Sequence, residues 1–168
     1  MRVAVTGTPG TGKTTAVEAV ETELDIVHLN DVIKSEGLTT GHDDERDTLV
    51  ADIEALDEWF GDRENVLFES HLAHQFDADR VVVLRCRPDK LETRLSERGE
   101  TADSAAENAE SEALDLILSE TVNRHGEDSV YEIDTTDRTP ASVADDIEAV
   151  LTGEREPSAG TVSFVDYL

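Results

Sequence analysis

The segment Gly7-Thr8-Pro9-Gly10-Thr11-Gly12-Lys13-Thr14-Thr15 carries the clearest chemistry in this chain. It fits the pattern G-x-x-x-x-G-K-[ST], with a strand-like apolar run before it and an amphipathic stretch after it. Gly10 and Gly12 let the backbone curl so that successive N–H groups point inward as an anion nest. The positive end of the following helix adds to the same potential. Lys13 is placed to neutralise the β- and γ-phosphates of a nucleoside triphosphate, and the Thr14 hydroxyl to ligate Mg²⁺. The bland alternative is a chance glycine-rich turn. The strand before and the helix after argue against it.

Three further groups could act with this loop. Arg94 and Arg98 lie four apart on the helix expected over residues 88–98, so they share one face while Leu91 and Leu95 turn to the core. Two arginines beside a polar loop suit the negative charge developing on a transferring phosphoryl group; an ordinary salt-bridged surface pair is the alternative. Glu69-Ser70-His71 follows a short apolar strand. An acid at Glu69 can hold Mg²⁺, directly or through water, and His71 can position the attacking oxygen or the leaving phosphate. The alternative is a polar cluster at the sheet edge with no role. His71 and His74 lack further Cys or His companions, which argues against zinc. Lastly, Lys34 survives in a chain with only three lysines. It stands in a stretch, residues 29–52, too long and acidic for a plain connection. A monophosphate needs such a cation; a leftover surface lysine, as we read Lys90, is the other reading.

The elements that must position these groups alternate between short apolar runs and amphipathic stretches, the pattern of an α/β domain with a mostly parallel sheet. Strands are expected at residues 3–6, 26–28, 66–68, 81–84 and 130–133. Helices are expected at 13–24, over a polar stretch from 31 to about 60, at 88–98, from 105 to about 122, and after Thr139-Pro140. Residues 99–104 read as a polar loop. Residues 153–160 form a Gly/Pro/Ser linker, followed by a short apolar tail at 162–168.

The 168 residues fit one domain. No apolar run approaches the length of a membrane span, and no signal peptide is apparent, so a cytoplasmic protein without a membrane partner is expected. The lone Cys86 reads as a buried thiol. Forty acidic residues against fourteen basic ones give a formal net charge of −26, spread over the whole chain rather than blocked at one end. Periodic apolar segments exclude a disordered polyacid. The surface reads as adapted to a high-salt cytoplasm, where molar salt shortens the Debye length to about 3 Å. The same charge argues against broad nucleic-acid binding.

Taken in order, the phosphate loop, Asn30-Asp31-Val32, the stretch from Gly41 to Asp47, Glu69-Ser70-His71 and Arg94-Leu-Ser-Glu-Arg-Gly99 resemble the archaeal and nuclear adenylate kinase isoenzyme 6 family. The likeness covers residues 1–152 and leaves 153–168 outside. It implies a P-loop nucleoside-monophosphate kinase with a parallel five-stranded sheet and helices on both faces. It also implies an NMP-binding segment at about 29–52 and a short lid at about 98–108. The implied activity is ATP + AMP ⇌ 2 ADP with Mg²⁺, broad monophosphate use and side ATPase activity. A part in late small-subunit (rRNA) maturation, beside a ribosomal platform protein, is implied too. Gly10, Gly12, Lys13, Thr14 and Thr15 carry over as ATP contacts and Arg98 as the lid contact; Asp31, Lys34 and Arg46 fall in the AMP segment. Two positions depart from the family pattern: Glu69 stands where its Asp-x-His motif has aspartate, and Lys34 where arginine can occur.

Two other functions fit the sequence. One is an ATP-driven assembly switch in which kinase turnover is incidental. The other is a kinase for a different small acceptor, such as shikimate or dephospho-coenzyme A. For the tail we expect a fold back onto its own domain; the other reading is a docking peptide anchored by Phe164 and Tyr167.

Overall fold

The computed structural model describes residues 1–44 and 48–168. Five parallel strands form one sheet: β1 (Arg2–Gly7), β2 (Asp25–His28), β5 (Val66–Glu69), β6 (Arg80–Arg85) and β7 (Val130–Asp134), in the spatial order β2-β5-β1-β6-β7. The parallel five-stranded sheet expected from the sequence is therefore present. Val3, Ala4 and Val5 of the central strand are fully buried, as an unbroken apolar run in a sheet covered on both faces should be.

Alternate residues feed two cores. Val3, Val5, Leu67, Val82 and Ile133 pack with α1 (Lys13–Glu18) and α7 (Pro140–Thr152). Ala4, Phe68 and Val81 pack on the opposite face with α2 (Leu29–Glu36) and α3 (Ile53–Phe60), where Phe60 meets Phe68 and Phe76. Further along that face Val83 and Val130 meet Leu118 of α6 (Leu116–His125). Among the described residues no helix is long and apolar enough to cross a membrane.

Three expectations need correction. The first helix ends at Glu18 rather than near residue 24, because the chain must extend to Asp25, whose N–H already bonds the carbonyl of Asn65. Val20 stays buried, but off the helix. The stretch from 31 to 60 is not one helical region: α2 and α3 flank an antiparallel pair, β3 (Thr39–Asp43) and β4 (Thr48–Ala51). Gly37 closes α2 in a left-handed conformation, and the Asp52 carboxylate caps α3 by accepting from the Ala55 N–H. Finally, the long helix is two. The polar loop after α4 (Pro88–Glu97) is short, since Thr101 already caps α5 (Ala102–Ala113). Asp115 then separates α5 from α6 with a φ of 55°. That conformation costs energy for a residue with a Cβ; here it delivers the Asp115 carboxylate to the buried guanidinium of Arg85.

Candidate active site

In a parallel sheet the carboxyl ends of all strands meet at one edge, and the crevice opens there. β1 delivers the loop from Gly7 to Gly12, β2 delivers His28, and β5 delivers Glu69 and Ser70. The resulting cleft holds about 550 Å³; its lining includes Gly10, Gly12, Lys13, Thr14, Thr15, Glu69, His71, Arg94 and Arg98. The structure therefore gathers these sequence-selected residues in one place.

The loop's glycines have specific geometric reasons. Gly10 lies under α4: a Cβ there would stand 2.9 Å from Leu95 Cδ2 and 3.0 Å from Leu91 Cδ1. Gly12 turns the chain into α1 with a φ of 89°, a left-handed value that glycine adopts without steric cost. Lys13 then folds back over the loop. Its Nζ donates to the carbonyls of Gly7 at 2.9 Å and Thr8 at 3.1 Å. Burial pulls its pKa down to about 8, against the opposing charge of Glu69. An ammonium so desolvated gains strongly from a phosphate partner.

Beside Lys13, the Thr14 hydroxyl donates to Glu69 Oε1 at 3.1 Å, and His28 Nδ1 lies 2.8 Å from the same oxygen. A hydroxyl and a carboxylate next to the phosphate cradle are hard oxygen donors suited to Mg²⁺, which keeps most of its shell for water and phosphate. The longer Glu side chain, where the resembled family has Asp, still reaches Thr14. Among the described residues no cluster of three or more His, Cys, Asp or Glu side chains forms a dedicated metal cage.

His71 is partly buried in the cleft wall. Burial, followed by the charge of Lys13, lowers its pKa to about 4, so it is neutral at physiological pH. His74 faces elsewhere: its Nδ1 lies 2.7 Å from the Thr6 hydroxyl and its Nε2 2.7 Å from Glu120 Oε2.

The two arginines differ. Arg94 sits against the loop, with its NH1 3.4 Å from the Gly10 carbonyl and its NH2 3.5 Å from the Thr135 carbonyl. Arg98 ends α4 and is exposed at the cleft mouth. Asp31 and Lys34 do not line the cleft; both are exposed on α2. Arg46 lies outside the described residues.

Sequence reasoning quoted Asn30 and Glu97 within motifs but gave them no role, and it missed His28. Asn30 lines the cleft and accepts from the Ser70 hydroxyl at 3.2 Å. Glu97 lines it between the two arginines. For His28 a signal was present: the last residue of a strand in a parallel sheet faces the crevice.

Residues 3–115 match the AAA domain family. Over its full length the chain is 64% identical to a protein of Natronomonas pharaonis and 60% identical to one of Halobacterium salinarum, and each is covered in full. Both are named "Putative adenylate kinase". These alignments run through residues 153–168, so the tail belongs to the shared sequence, unlike the limit at residue 152 set by the motifs. A crystal structure of shikimate kinase from Bacteroides thetaiotaomicron superposes with a TM-score of 0.53 at 18% identity, over 90% of this chain and 98% of that one. At that identity the likeness is one of fold.

Proposed function

This chain belongs to the AAA-domain P-loop family and, within it, to the archaeal proteins that carry the adenylate kinase name, and we propose that it transfers the γ-phosphoryl group of ATP to AMP or another nucleoside monophosphate. One observation carries this reading: the ammonium of Lys13, the Thr14–Glu69 oxygen pair and the guanidinium of Arg98 converge on a single cleft.

In this reading the loop N–H groups and Lys13 hold the β- and γ-phosphates of ATP, with Gly10, Gly12 and Thr15 completing the cradle. Thr14 and Glu69 would hold Mg²⁺, which neutralises phosphate charge when bound. Arg94 braces the loop at Gly10. Arg98 at the mouth meets the charge that develops on the transferring group. His71, being neutral, orders the acceptor phosphate by a hydrogen bond without adding charge. Asp31, Lys34 and Arg46 form the acceptor side. Lys34 lies four residues after Asn30, so it shares the helix face of a cleft residue. Closure of the 29–52 segment would bring that side to the donor and exclude water. Incomplete closure would admit water as the acceptor and give a side ATPase activity. We assign the enzyme to the cytoplasm, where ATP and AMP are available to it, and the charge of −26 suits a high-salt interior.

ADP formation in molar KCl tests this directly, comparing ATP alone with ATP plus AMP, other monophosphates, shikimate or dephospho-coenzyme A. Rapid ADP formation only with a monophosphate is the expected result; equal rates with and without an acceptor would replace the kinase by an ATPase. The resemblance to isoenzyme 6 adds a second proposed role, in which the acidic surface docks a basic small-subunit platform protein during rRNA maturation. Nucleotide-dependent retention of the enzyme on immature small subunits checks it.

A further inference from the structure

On the side of the phosphate loop away from the cleft, one acid joins three elements. Glu112, near the end of α5, is 3% exposed. Its Oε1 accepts from the Thr8 hydroxyl at 3.2 Å and from Arg85 Nε at 3.2 Å; its Oε2 accepts from the Cys86 N–H at 2.8 Å. Thr8 is itself buried and does not line the cleft. Its carbonyl accepts from Lys13 Nζ, from the Thr11 N–H at 3.2 Å and from the Thr11 hydroxyl at 2.9 Å. A continuous path thus runs from Glu112 through Thr8 to Lys13.

We propose that Glu112 is a positioning residue for phosphoryl transfer: it anchors Thr8, and through the Thr8 carbonyl it sets the place of Lys13 and of the turn at residues 8–11. The inference rests on the nucleotide-kinase reading above.

Packing alone does not account for this acid. Arg85 already faces Asp115 and Glu132, so Glu112 is the third carboxylate on one buried guanidinium. A third buried carboxylate is costly to desolvate, and Arg85 keeps two acidic partners without it. What Glu112 adds is a link between the loop, the Arg85-Cys86 end of β6, and α5. The tail packs over the arrangement. The Thr161 N–H donates to Glu132 Oε1 at 2.8 Å, and the Phe164 ring lies 5.4 Å from the Arg85 guanidinium. Because α5 starts at Ala102, the same helix ties the turn after Arg98 to Thr8.

Thr8→Val tests the link with little disturbance, since it removes the hydroxyl and leaves the Arg85 and Cys86 contacts of Glu112 in place. Glu112→Gln keeps the shape and removes the charge. MgATP binding by calorimetry, kinetic constants for ATP and AMP, and thermal midpoints would be measured in molar KCl. Thr8→Val should raise the Kd and KM for MgATP about fivefold, the loss of roughly one hydrogen bond, while the KM for AMP stays put. Adding Glu112→Gln to Thr8→Val should weaken MgATP binding less than Glu112→Gln does alone. Unchanged MgATP constants in Thr8→Val, with or without a lower midpoint, would reduce Glu112 to a structural residue and overturn the inference. Should Glu112→Gln fail to fold, the Thr8 variant decides alone. A wild-type protein that binds no MgATP would refute the kinase reading itself, a distinct outcome.

Discussion

On the loop side of the cleft the functional groups are fixed by neighbours: Lys13 by two carbonyls, Thr14 by Glu69, Glu69 by His28, Arg94 by the loop backbone. On the α2 side, Asp31 and Lys34 stand exposed. Under the proposed reaction, the difference follows from what each side would do. Charge develops on the transferring phosphoryl group, and donors aimed at it in advance need no reorganisation during the reaction. An acceptor site has to open for exchange, so its groups gain their geometry on closure.

The most severe way to break this contrast is Lys13→Ala. It should reduce turnover by about 10²–10³-fold, the scale of losing one preorganised charge-stabilising group, with the circular dichroism of the fold unchanged. Near-normal turnover would remove the loop from the chemistry. Lys34→Ala probes the opposite side: the KM for AMP should rise about tenfold, as for a lost charge-assisted bond, while the KM for ATP holds. Movement of the ATP constant instead would put Lys34 on the donor side.

Two stability measurements sharpen the contrast by asking how deep the support of the loop side goes. Deleting residues 154–168 removes Phe164 and uncovers the Arg85 cluster, and the thermal midpoint should drop by about 5–10 °C, as for the loss of a few kcal/mol in a domain of this size. No drop would mean that the folded-back tail contributes nothing. The smallest effect concerns His74. Burial lowers its pKa below the ordinary 6.5, so above that value the imidazole is neutral in both folded and unfolded chains. As pH falls below 6.5 the unfolded chain takes up the proton first and stability is lost. The thermal midpoint of the parent should therefore fall more steeply from pH 7 to 5 than that of His74→Gln. Parallel curves would show that the Thr6–His74–Glu120 contact carries no proton linkage.

The phosphate loop was legible because its constraints are local: glycine spacing, a lysine and a hydroxyl, between an apolar run and a helix. The strands were legible because Val-rich runs buried on both faces leave a simple pattern. The region from 31 to 60 misled because the spacing of Ile53, Leu56 and Phe60 is truly helical in α3, and Leu49 extends the same spacing backward into β4. A periodic count does not notice that Asp52 is a cap. The break between α5 and α6 was beyond any local window, since what draws Asp115 out of line is Arg85, thirty residues earlier. Glu112 was hidden for the same reason: in sequence it is one acid among forty.

Arg85 is not alone in being committed to the architecture. Arg80 bonds the Val150 and Leu151 carbonyls at the end of α7, Arg138 and Arg155 share Asp146, and the Arg2 guanidinium lies 4.7 Å from the centre of the Phe60 ring. With eleven arginines and three lysines in all, much of the positive charge is already bound up in architecture or in the phosphate cradle. Sequence drift toward a still more acidic surface would therefore meet a floor. Replacement of these arginines, even by lysine, would forfeit forked or stacked contacts that a lysine cannot reproduce. The cation sites should accordingly tolerate substitution far less than the acidic ones around them, and a saturation-mutagenesis map would show them as isolated cold spots on a permissive surface.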